Sequence, residues 1–152
     1  MTVVRAPARD STKTDTVYQT AVWSSQPASV CKHPAHERVI AAIDELANLK
    51  PGWDSYDAAP IEEAARGRAI AFITTLLTHL DCDVPAPTVG PSPDSGVVLR
   101  WLTSDFDIMV TFFAQGGEYS VVRRDSDELI DTGNIGRPES LVRDVISQYV
   151  VR

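Results

Sequence analysis

The chain is poor in the residues and patterns that announce a function. It has two cysteines and three histidines in 152 residues. No stretch approaches the roughly 18 apolar residues of a membrane span, and threonines break the longest candidate, 69–77. The first residues lack the apolar run of a signal peptide. The expectation is therefore a cytoplasmic protein with no membrane contact. Cationic charge is also scarce: 14 basic residues stand against 21 acidic ones, a formal charge of −7. The imbalance is uneven. Residues 1–33 carry net +2 and the remainder net −9. An acidic body repels a phosphate backbone, so direct nucleic-acid binding is not expected. No P-loop, dinucleotide-binding glycine motif, G-x-S-x-G elbow or H-E-x-x-H zinc motif occurs, so no catalytic residue is assigned.

The length fits one domain, and the 43% hydrophobic content is enough for a core. Residues 1–30 read as a flexible arm rich in Ser and Thr. Val17, Tyr18, Val22 and Trp23 are too apolar for a pure linker, so docking around 17–23, as an added strand, is the competing expectation. Residues 31–152 read as the folded domain. From Pro34 to Leu49 the apolar residues Val39, Ile40, Ile43 and Leu46 follow helical spacing, and Lys50-Pro51-Gly52 stops the helix. A second helix is expected from Pro60 to Leu80, capped by Asp54 or Asp57, and a third from Pro138. The prolines at 85, 87, 91 and 93 predict an extended connector between helices and sheet.

After Gly96 the period becomes two. Strands are expected over 97–102, 106–113 and 119–122, with a shorter one over 128–132, separated by turn signals at Ser104-Asp105, Gly116-Gly117 and Asp125-Ser126-Asp127. The fold class is α+β: a helical hairpin, a four-stranded antiparallel meander and a C-terminal helix, the helices on one face of the sheet. The paired carboxylates Asp81/Asp83, Asp105/Asp107 and Asp125/Asp127 are read chiefly as turn chemistry.

Three groups of residues carry the functional expectations. The first is the interhelical loop, where Trp53, Asp54, Tyr56 and Asp57 supply a stacking surface and hydrogen-bond acceptors for a ligand. The competing reading is that the rings plug the turn and Asp54 caps backbone N–H groups. The second is Cys31, His33, His36, His79 and Cys82, which a helical hairpin would bring to one end. Zinc takes four such ligands, although neither half has a standard zinc spacing; a Cys31–Cys82 disulfide or unlinked thiols are the alternatives. The third is the sheet face away from the helices, carrying Val98, Leu102, Met109, Phe113 and Val122 with Arg100, Asp107, Thr111 and Arg124. A solvated face is normally polar, so this one is expected to be covered, by the arm, by a second copy in a dimer or by a protein partner.

The segment Gly52-Trp53-Asp54-Ser55-Tyr56-Asp57-Ala58, followed by Asp94-Ser95-Gly96-Val97-Val98-Leu99-Arg100-Trp101, resembles a pattern in a loose group of small uncharacterised bacterial and mobile-element proteins. There a G-W-D-x-Y-G-A-like loop precedes a D-G-G-x-x-L-x-W strand. The chain departs from it at Asp57 and Ser95, where the pattern prefers Gly. The resemblance spans about residues 50–122 and implies no particular activity. With the bare sheet face it suggests a non-enzymatic protein-interaction module, of the antitoxin, immunity or phage-inhibitor kind. The alternative is a small-molecule or nucleotide binder, or hydrolase, using the Trp53–Asp57 loop.

Overall fold

The computed structural model describes residues 34–80 and 84–151. The expectations for residues 1–30, including docking around 17–23, lie outside these. Helix α1 spans Pro34–Glu45 and tightens into a 3₁₀ turn at Leu46–Asn48. Its apolar spacing buries Val39 and Ile43, while the charged residues Glu37, Arg38, Asp44 and Glu45 are exposed. Helix α2 spans Glu63–His79 and buries Ala65, Ala69, Phe72, Ile73, Leu76 and Leu77. The C-terminal helix α3 begins with Pro138–Leu141, winds as a π-helix over Val142–Ile146 and ends at Ser147–Tyr149. Pro138 suits the first turn, where its missing N–H is not needed.

The antiparallel sheet has the order β1-β2-β3-β4-β5, each strand beside its sequence neighbour. Its strands are β1 Thr88–Pro91, β2 Val97–Leu102, β3 Phe106–Phe113, β4 Gly116–Arg123 and β5 Leu129–Asn134. The alternation expected for β2 and β3 is seen in their burial. Val97, Leu99, Trp101, Phe106, Ile108, Val110 and Phe112 are buried, and the residues between them are not. With Val121 they form one core with residues of all three helices. Helix α1 packs on β1, α2 on β2 and β3, and α3 on α2. The class is α+β, a meander with its helices on the apolar face.

Four details differ from the sequence reading. Strand β4 begins at Gly116, so the β3–β4 turn falls at Ala114-Gln115 and not at Gly116-Gly117. The sheet has five strands, because the proline-rich link contains β1, which pairs with β2 from Thr88↔Arg100 to Pro91↔Val97. Prolines fit there because β1 is an edge strand, short and closed by Pro91. The indole N–H of Trp101 donates to the Pro85 carbonyl at 2.8 Å and ties this link to the sheet. The final strand runs two residues further than expected, Gly133 and Asn134 pairing with Tyr119 and Glu118, and a bulge between Val121 and Val122 shifts the register at its start. Helix α2 starts at Glu63 rather than Pro60, and neither Asp54 nor Asp57 caps it; Glu62 holds the cap position without a side-chain bond.

The turn before β2 has a left-handed residue at Ser95, with φ 71°. A side chain disfavours that conformation by about 1–2 kcal/mol, which gives a physical reason for glycine at this position in the resembling pattern. Ser95→Gly is expected to stabilise the fold by about 0.5–1 kcal/mol, the relief exceeding the added chain entropy of glycine. Urea unfolding checks this; an unchanged or lower midpoint would show the turn to be unstrained.

Candidate functional site

The pleat sends alternate residues of every strand to the face opposite the helices. The register arranges them in three rows. One runs Gly90, Val98, Thr111, Glu118 and Asn134; the next Thr88, Arg100, Met109, Ser120 and Thr132; the third Leu102, Asp107, Val122 and Leu129. Leu102 is 57% exposed, Leu129 56% and Met109 37%. Val98, Phe113 and Val122 are partly exposed. The apolar side chains concentrate toward the third row, around Asp107. Leu102 follows from strand alternation. The place of Leu129 beside Val122 does not, because it depends on the bulge.

At the centre of this patch Arg100 grips Asp107. Its Nε donates to Oδ1 at 2.8 Å and its Nη2 to Oδ2 at 2.5 Å, a bidentate pair between β2 and β3. Asp107 is thus a strand residue with a fixed cation and not a turn residue, correcting the expectation for the Asp105/Asp107 pair. The hydrogen bond from Arg100 holds the Asp107 carboxyl below the usual carboxylate range. Desolvation opposes this, and the charges of Arg100 and Arg124 add to it. The sign follows. The unfolded chain takes up the proton first, so the pair stabilises the fold above the ordinary carboxylate pKa. That contribution is lost as pH falls through the depressed value. Asp107→Asn is expected to lower stability modestly at neutral pH, where the pair contributes fully, and to flatten the acid limb, so that parent and variant converge below the depressed value. Unfolding midpoints across the acid range test this, and parallel acid limbs for parent and variant would refute it.

Two residues assigned to this face play other parts. Arg124 lies beyond the end of β4, and its Nη1 donates to the Thr103 carbonyl at 2.6 Å, while its backbone N–H donates to the Asp105 carbonyl. It clamps the β2–β3 turn and does not line the face. Phe113 packs over Gly96; a Cβ there would lie 2.9 Å from its Cδ1 and 2.7 Å from the Phe112 carbonyl. Phe113 is therefore partly structural, and Gly96 is required by this close approach.

The interhelical loop is closed on itself. The Gly52 N–H donates to the Ala58 carbonyl at 2.8 Å, and Ser55 takes a left-handed φ of 70°. Asp54 Oδ1 accepts the backbone N–H groups of Tyr56 and Ala58 at 2.9 and 3.3 Å. The indole N–H of Trp53 donates to the Ala59 carbonyl at 3.0 Å. Trp53 is partly buried against the core, less than the full burial that a plug would have. Two of the four proposed ligand-binding groups are therefore engaged in holding the loop, while Tyr56, 82% exposed, and Asp57 point to solvent. The Glu62 N–H, four residues beyond Ala58, donates to the Ser95 carbonyl at 3.1 Å and ties the start of α2 to the turn before β2. Trp53→Ala is expected to cost about 1.5–3 kcal/mol, below the range of a fully buried aromatic. Tyr56→Ala should be near neutral. Chemical denaturation compares the two, and equal costs would show that Trp53 is not an anchor.

Of the sulfur and imidazole set, Cys31, His33 and Cys82 lie outside the described residues. His36 is buried on α1. His79 is exposed at the end of α2, its Nδ1 3.0 Å from the Thr75 carbonyl, and it lines a pocket with Leu80, Glu139, Val142, Arg143 and Ser147. Among the described residues no three His, Cys, Asp or Glu side chains form a group that could hold a metal. No helix among them is long and apolar enough to cross a membrane.

No protein-family model, curated protein or solved structure matches the chain.

Proposed function

We propose that this chain is a non-enzymatic protein-interaction module that binds through the outer face of its sheet. The observation that carries the reading is the one-sidedness of the fold. All three helices among the described residues pack into the core on one face, while Leu102, Met109 and Leu129 stand exposed on the other around a bidentate ion pair. An apolar patch rimmed by polar residues is the usual form of a protein-binding surface. Polar residues border it: Thr88, Ser120 and Thr132 lie in the same row as Met109, and Thr111, Glu118 and Asn134 in the row beyond. The occupant is a second copy or a different protein. The net charge of −7 favours a basic partner over self-association. An antitoxin-, immunity- or phage-inhibitor-like role agrees with this chemistry, since each acts by covering another protein.

The test is a comparison of parent, Leu102→Lys and Met109→Asp. Light scattering after size exclusion reports self-association, and affinity capture with mass spectrometry reports hetero-partners. The reading requires an association present in the parent and absent in both variants, with the folds intact. Binding retained by both variants removes the sheet face and directs attention to the exposed Tyr56–Asp57 tip of the loop.

A further inference from the structure

We draw no further inference here: the strongest candidate, the apolar groove between α1 and the edge strand β1 lined by Val39, Ala42, Ala86, Pro87 and Val89, carries nothing because nothing in the structure shows what covers it.

Discussion

Trp101→Ala is expected to destabilise the protein by about 3–5 kcal/mol, the cost of deleting a fully buried aromatic. The residue is 2% exposed and lies on the helix-facing side of β2. Its ring meets Phe72 of α2 edge-on, with centroids 6.3 Å apart, and Phe72 in turn packs on Phe112 at 5.4 Å. Truncation therefore opens a cavity where α2 rests on the sheet. It also leaves the Pro85 carbonyl without its indole donor, loosening the link that delivers β1. For a chain of this size the loss corresponds to roughly 6–20 °C in Tm. Trp101→Phe separates the two contributions, because it keeps most of the apolar contact with Phe72 and removes the hydrogen bond. It should cost less than alanine while still weakening β1. Hydrogen exchange at Val89 and Gly90 reads that local effect. Urea and thermal unfolding supply the global values. A cost under about 1 kcal/mol for the alanine variant would mean that Trp101 is not a core residue.

Met109→Asp is the second large effect, and it falls on binding rather than folding. Met109 sits in the middle strand, directly opposite Arg100 on β2 and Ser120 on β4. A new carboxylate there finds Arg100 across the strand, so the free chain should lose no more than about 1 kcal/mol. Leu102→Lys is chosen by the same logic, since Asp107 lies directly opposite and offers a counter-charge. Within an interface both variants bring a charge into a dry patch where an apolar side chain belonged. Affinity is expected to fall by about 30-fold or more, the roughly 2 kcal/mol of a central interface residue. Phe113→Asp is a poorer probe, because the contact of Phe113 with Gly96 mixes folding with binding. The expected pattern is thus a small shift in urea midpoint, worth no more than about 1 kcal/mol, together with lost association. If the variants unfold, the face is part of the fold. If they remain folded and keep every association of the parent, the interaction reading fails.

The element types are legible in the chain because hydrophobic period is a property of residue order. A spacing of three and four marks Val39 and Ile43 as one helix face. Strict alternation marks Leu99, Trp101, Ile108 and Val110 as one sheet face. The same alternation forces Met109 and Leu102 to the opposite side, so the unusual face follows from the strand pattern itself. Boundaries are less legible. Asp54 suits a helix cap and a loop equally well, and its carboxylate goes to the N–H groups of Tyr56 and Ala58.

Local periodicity and turn chemistry were thus enough for the α+β class, the antiparallel meander and the two chemically distinct sheet faces. The remaining features came from tertiary contacts. The segment 88–91 is a strand because β2 offers it a ladder and Trp101 holds Pro85, neither of which is encoded in its own prolines. Leu129 lies beside Val122 through a bulge that shifts β5. Asp107 leaves the class of turn carboxylates because the β2–β3 register sets it within reach of Arg100, seven residues away in the chain. Each of these depends on which strand lies beside which, and in what register. That is settled by the summed packing and hydrogen bonding of the sheet, to which no single segment holds the key.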